Sequence, residues 1–267
     1  MDKQDNGILG YPLDGRAASQ ERLRSFKNRK ADITQHSPSG QIEGSGLVWY
    51  HRAMVSVLIA TDNQGKLDEY RVLLGSLPLE LVAPRQLPVA VHVEEAGVSY
   101  SENARLKATS YMHASGMITL ADDSGLEVDA LGGAPGSRSA RYAGPGASDE
   151  DRYRLLLSRL EGVPWEKRTA RFRCLLVLAA PPDHIHAVEG ICEGRVSLAP
   201  EGTHGFGYDP VFFVPDYGAT MAQLSPEVKN RISHRALAVQ AMLPILMRYG
   251  SQSPCARQSL VGEAGGD

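Results

Sequence analysis

Two adjacent acids, Asp122 and Asp123, stand in the run Leu120-Ala-Asp-Asp-Ser-Gly125. Neighbouring carboxylates repel unless a cation or a proton neutralises them, and Mg2+ is the natural partner of such hard oxygen ligands. An Asx turn closed by Ser124 and Gly125 would use the same residues without a metal. The stretch from Leu131 to Gly144 is unusually rich in glycine, and a long segment of that kind beside two carboxylates points to a binding duty. Upstream, Thr61, Asp62, Asn63, Gln64, Gly65 and Lys66 follow an apolar run. A helix beginning there would offer unpaired N–H groups, a close backbone at Gly65 and a point charge at Lys66, which is phosphate-binding chemistry. It is not a Walker A loop, because Leu67 stands where a hydroxyl residue is required. An ordinary capped turn is the alternative reading.

Two further groups carry chemistry. Glu94 and Glu95 precede Glu102, Asn103 and Lys107. On an extended stretch adjacent side chains diverge, so only one of Glu94 and Glu95 can face a given site. Glu102 or Asn103 can share a helical face with Lys107, although a solvated, charge-laced helix uses the same pattern. Later come Phe206, Gly207, Tyr208 and Asp209, and then Lys229, His234 and Arg235. The two aromatics could stack on a planar base or belong to a core, while the three basic residues supply donors. His184 and His186 lack a third ligand nearby and read as exposed hairpin histidines.

The elements that must position these residues are legible as hydrophobic periods. A strand is expected over 55–61, a helix over 66–76, a helix over 101–115 and a strand over 117–121, placing the paired acids at a strand's C-terminal end. Ser148 caps a helix reaching Glu161, with acids in its first turn. Strands near 170–180 and 185–198 form an antiparallel pair, and a last helix over 233–249 is kinked or ended early by Pro244. Strands alternating with helices, with a late strand pair, give an α/β fold on a mixed sheet.

The chain has 267 residues, 42% of them hydrophobic, and no apolar run long enough to span a membrane. A net charge of -3 gives no broad positive field for a nucleic-acid polymer. Cys174, Cys192 and Cys255 are widely spaced and odd in number, so they read as reduced thiols of a cytoplasmic protein. Residues 1–53 are polar and aperiodic and are expected to be a disordered leader or a mis-assigned start; 54–250 form the domain and 251–267 a flexible tail.

Taken in order, T-x-N-x-G-K, E-N-A-x-x-K-A, A-D-D-S-G-L, G-G-A-P-G-x-x-S-A-R-Y-A-G, G-F-G-Y-D-P and S-H-R, spread from Thr61 to Arg235, closely resemble the inosine/xanthosine triphosphate pyrophosphatase family. The resemblance implies an elongated mixed β-sheet flanked by helices around a central nucleotide-binding cleft, a homodimer, and Mg2+-dependent cleavage of ITP, dITP or XTP to the monophosphate and pyrophosphate. It implies that residues 61–66 hold the triphosphate, that Glu94 and Asp123 bind metal, and that Asp123 also activates water. Ser124 would touch substrate, Lys66 and Lys107 would balance phosphate charge, and Phe206, Gly207, Tyr208, Asp209, Lys229, His234 and Arg235 would enclose base and sugar. A donor pairs with O6 of a 6-keto purine and meets another donor in adenine, which favours His234 and Arg235 for that task. Asp62 is an unexpected acid in a phosphate loop, so its side chain should turn away or assist a metal. Two other classes compete: a non-catalytic nucleotide-binding module, which would not need both metal carboxylates, and a pyrophosphatase for modified pyrimidine nucleotides, which would not be expected to combine G-F-G-Y-D-P with S-H-R.

Overall fold

The computed structural model describes residues 54–93 and 99–251. The expected leader, the tail beyond Ser251 and Glu94 lie outside the described residues. Apart from residues 86–90, what is described falls in one compact unit, 51–85 and 91 onward.

Among the described residues, seven strands form one open sheet. In chain order they are β1 (Val55–Ile59), β2 (Leu79–Val82), β3 (Ile118–Val128), β4 (Thr169–Ala180), β5 (His184–Val196), β6 (Phe212–Val214) and β7 (Ala219–Thr220). Their order across the sheet is β2-β1-β3-β4-β5-β6-β7. β1 is parallel to both β2 and β3, and every pairing from β3 onward is antiparallel. The helices are α1 (Gln64–Leu74), α2 (Tyr100–Ser115), α3 (Asp149–Arg159), α4 (Pro226–Ile232) and α5 (His234–Ser251). The mixed α/β sheet flanked by helices is therefore as the periodicity predicts, with the β4–β5 hairpin in the expected place.

β4 shows how the layers are built. Its first half alternates buried and half-buried side chains, whereas Leu176–Ala180 is buried without a break. Alternation marks one covered face and continuous burial marks two. One cover consists of Leu67, Tyr70 and Leu74 of α1 with Ala238, Val239, Met242 and Leu246 of α5, packed on Val57, Ile59, Leu120, Cys174 and Leu176. α2 covers β3 and β4 with buried Ala104, Ala108, Tyr111 and Met112. Gly190 lets α5 press against β5, since a Cβ there would lie 2.1 Å from the His234 carbonyl oxygen and 2.4 Å from the Ala238 nitrogen. A second cluster, with Leu156 and Leu160 against Phe172, Val196 and Phe212, closes the antiparallel half.

Three expectations need correcting. The paired acids do not end a strand, because β3 continues to Val128 as the antiparallel partner of β4, from Thr119↔Ala179 to Val128↔Ala170. Its parallel pairing with β1 stops at Ile59↔Leu120. Asp122 and Asp123 thus follow the carboxyl end of the parallel part of the sheet, where α/β sheets gather ligands. Pro244 does not end α5, which runs unbroken for 18 residues. Val239, Met242 and Leu246 are buried on either side of the proline, so packing holds both halves against the lost hydrogen bond. α2 is also no solvated helix around Lys107: Asn103 is 1% and Lys107 9% exposed. α4 was not expected, although Ser225 as N-cap and Pro226 in the first turn are a start signal.

Candidate functional site

The handover from β1 to α1 is tight. Ala60 N donates to Leu120 O at 2.7 Å, and the Asn63 side chain caps α1 by accepting from Lys66 N at 3.0 Å. The cap engages one N–H of the first turn and leaves the dipole's positive end facing a cleft of about 480 Å³. Thr61, Asp62, Asn63 and Lys66 line that cleft. Gln64 does not; its amide bonds Asp68 at 2.8 Å and Arg85 at 3.3 Å along the helix flank. Asp62 is an exposed part of the cleft wall, close enough to raise the Tyr111 phenol, whose upward shift comes first from burial.

Alternation along β3 sends the two acids to opposite faces of the sheet. Asp122 enters the α1/α5 side, with Lys66 Nζ at 2.9 Å and Arg235 Nη2 at 3.1 Å. Burial alone would push its carboxyl up, but Lys66, Arg235 and Lys107 outweigh that and hold it well below the usual range. Asp123 enters the α2 side and lines the cleft at 6% exposure. Its Oδ2 accepts from Asn103 Nδ2 at 2.9 Å and its Oδ1 from Ser124 N at 3.0 Å. Lys107 Nζ donates to the Asp122 carbonyl at 2.7 Å, which anchors the lysine in the cleft wall. One acid is neutralised by cations, and its neighbour opens on the cleft.

Arg235, 1% exposed, gives Nη1 to Glu69 and Nη2 to Asp122 and to Ser124 Oγ at 3.0 Å. Glu69 also takes Lys229 Nζ at 2.8 Å, and Lys229 pairs with Asp209. The two carboxylates sharing Lys229 diverge. Burial raises both, but Glu69 has Arg235 as well and is held low, whereas Asp209 is left raised. Ser124, Asp209, Lys229, His234 and Arg235 all line the cleft.

The 205–209 loop has its own supports. Phe206 N donates to Asp209 at 2.9 Å, Gly207 N to Asp149 at 2.7 Å, and Tyr208 Oη to the Ser139 carbonyl at 2.9 Å. Tyr208 is 4% exposed and belongs to the second core cluster. Phe206 is therefore the freer aromatic. Its ring lies on Gly65, where a Cβ would approach to 2.7 Å, with Lys229 Nζ 4.9 Å and Arg235 Cζ 5.8 Å from its centroid. Gly65 thus makes room for a ring, a duty its motif alone did not reveal.

His234 stacks on Phe172 at 4.7 Å and 16°. Burial, then Arg235 and Lys229, holds its imidazole well below 6.5, so the ring is neutral. A lowered folded value means that the unfolded chain binds the extra proton below about pH 6.5. Stability is then complete above that pH and should fall by up to about 1.4 kcal/mol per unit as pH drops below it. Urea unfolding between pH 7.5 and 5 should show this slope and His234→Gln should flatten it; identical slopes would contradict the assignment.

Every expected site residue lines the cleft except Gln64, Gly65, which packs under the Phe206 ring, and Glu94, which lies outside the described residues. Sequence reasoning missed Tyr111, Asp149, Arg152 and Phe172 as lining residues. Asp149 was visible only as a first-turn acid of α3, and its bond to Gly207 is a tertiary fact. Ser139 and Arg141 fall in the glycine-rich stretch and also line the cleft.

The chain is similar to known proteins over most of its length. A dITP/XTP pyrophosphatase of Desulforamulus reducens is 46% identical over 194 residues, covering 73% of this chain and 96% of the relative. One of Geobacillus kaustophilus is 48% identical over 186 residues, covering 70% and 91%. A solved HAM1 protein from Coxiella burnetii superposes with a TM-score of 0.67 at 38% identity, covering 73% of this chain and all of that one. A nucleoside-triphosphatase / dITP/XTP pyrophosphatase from Mycobacterium abscessus gives 0.59 at 39%, covering 72% and 100%. With residues 57–245 matching the Ham1 family from strand β1 to helix α5, and with relatives this similar over nearly their whole length, the chain belongs to that family.

Proposed function

We propose that the protein hydrolyses noncanonical purine nucleoside triphosphates, namely ITP, dITP and XTP, to the monophosphate and pyrophosphate. The observation that carries this reading is the division of labour on β3, with Asp122 locked among cations and Asp123 presented to the cleft beside Lys107. The names of the relatives, dITP/XTP pyrophosphatases, support the substrate class.

The geometry supports the following roles. The first turn of α1 with Lys66 receives the triphosphate, and Lys107 offsets its charge. Asp123 takes the proton from the attacking water as the Pα–O–Pβ bridge breaks and pyrophosphate leaves. Phe206 supplies a face for the base, and neutral His234 offers a donor to O6 while Tyr208, Asp209, Lys229 and Arg235 hold the surrounding wall. Asn63 and Thr61 shape the turn, and Ser124 lies beside Arg235.

Mg2+ fits this donor set. Among the described residues no three His, Cys, Asp or Glu side chains gather into a metal cluster, and Mg2+ characteristically uses one or two carboxylates, retained waters and substrate phosphates. Asp123 would hold it, with Glu94 as the second carboxylate. When bound, it would neutralise charge on the phosphates and the departing pyrophosphate. Residues 54–250 as the catalytic domain, a homodimer and a cytoplasmic setting belong to the same reading; the buried free thiols Cys174 and Cys192 are consistent with the last.

A panel of ITP, dITP, XTP, GTP, ATP and modified pyrimidine triphosphates, assayed for pyrophosphate with and without Mg2+, tests it. Release from the first three in Mg2+, at least about tenfold faster than from ATP or GTP, is expected. Binding without turnover would favour a sensing module, and preference for pyrimidines would overturn the substrate class.

A further inference from the structure

Asn103 holds the cleft acid without being among the residues that line the cleft. It lies on α2, one turn before Lys107, and the two residues grip the same dipeptide of β3: Lys107 takes the Asp122 carbonyl and Asn103 the Asp123 carboxylate. An ionised carboxylate only accepts hydrogen bonds, so the amide nitrogen of Asn103 must be the atom facing Asp123. That choice commits the other amide atom. Oδ1 is buried on a residue 1% exposed, and among the described residues it has no hydrogen-bond partner.

An orphaned buried carbonyl of this kind costs about 1–3 kcal/mol. The penalty vanishes when a donor arrives. A divalent cation held by one or two carboxylates keeps several waters, and these are strong donors displayed close to the carboxylate that Asn103 already holds. Outer partners of this type orient the ligand and fix the hydration of the metal.

We propose that Asn103 is a positioning residue: its Nδ2 fixes the Asp123 carboxylate, and its Oδ1 is reserved for a water carried by the divalent cation at Asp123. The proposal rests on the pyrophosphatase reading above and deepens it. Its predicted signature is joint: metal affinity and turnover fall together, nucleotide KM does not move, and the fold persists.

The test is Mn2+ binding to the nucleotide-free protein, followed by electron paramagnetic resonance, alongside steady-state kinetics with ITP. Asn103→Leu should weaken Mn2+ binding roughly 10- to 100-fold and lower kcat within the same range. The KM for ITP should stay within about threefold, and the melting temperature should change by no more than a few degrees, because the lost Nδ2 bond to Asp123 offsets the removal of the unsatisfied Oδ1. Should the leucine variant fail to fold, Asn103→Ala, which leaves room for a water, is read by the same criteria. Mn2+ affinity and kcat within about twofold of wild type would overturn the proposal and leave Asn103 a packing residue. A KM rise without loss of metal affinity would overturn it too, by placing Asn103 in nucleotide binding. The parent reading fails separately: wild-type protein that releases no pyrophosphate from any purine triphosphate in Mg2+ removes the proposed function itself, whereas wild-type protein that turns over ITP but binds no Mn2+ without nucleotide overturns only the proposal for Asn103.

Discussion

Asp123→Asn should lower turnover of ITP about a thousandfold or more while leaving the melting temperature within a few degrees of wild type. A general base contributes some 10²–10⁴-fold, and this variant also removes the charge proposed to hold the metal. The fold should tolerate it because the replacement is isosteric and the supports remain. The amide oxygen can still accept from Ser124 N, and Asn103 can turn its own amide to face the new one. Circular dichroism and thermal melting establish the fold, and pyrophosphate release measures the loss. Activity within tenfold of wild type would show that Asp123 is not the base. Asp122→Asn is the informative contrast, since that carboxylate sits against Lys66 and Arg235 and its loss strikes the fold as well as the cleft.

Arg235→Met should destabilise the protein by about 3–5 kcal/mol, the usual consequence of removing one member of a buried ionic network. For a domain of this size that is a fall of roughly 10 °C in melting temperature. Arg235 joins Glu69, Asp122 and Ser124, and its guanidinium lies 5.8 Å from the ring centres of both Tyr70 and Phe206. Methionine preserves most of the bulk, so the loss reports charge and hydrogen bonding. Lys66 still serves Asp122 and Lys229 still serves Glu69, which sets the expected figure at the lower part of the range. Differential scanning calorimetry decides: a shift under about 2 °C would mean that the remaining lysines carry the network alone. The same variant should raise KM for ITP, because Phe206 loses a cation against its ring and Ser124 a hydrogen-bond donor.

Much of this site was legible before folding because the cues are local. A helix start is announced by the cap it needs, and Ser148 caps α3 as expected, with Asp151 closing a capping box. The β4–β5 hairpin follows from two apolar runs separated by Pro181 and Pro182, with Ala180 paired to His184. What misled was equally local. Pro244 reads as a breaker only while the buried side chains around it are ignored, and Lys107 reads as a solvated lysine only until Asp122 offers its carbonyl.

The order of the motifs and the residue types proposed for phosphate, metal and base were thus determined by the amino-acid sequence alone. It also required that Asp122 and Asp123 part company on an extended chain, because successive side chains of a strand point to opposite faces. Which of the two would be spent on structure was another matter. That depended on α1 and α5 bringing Lys66 and Arg235 to one face, and α2 bringing Asn103 to the other, from positions 20 to 113 residues away along the chain. Only tertiary packing could decide it, since a carboxylate's state is set by the charges and donors around it, and here nearly all of them are remote in sequence.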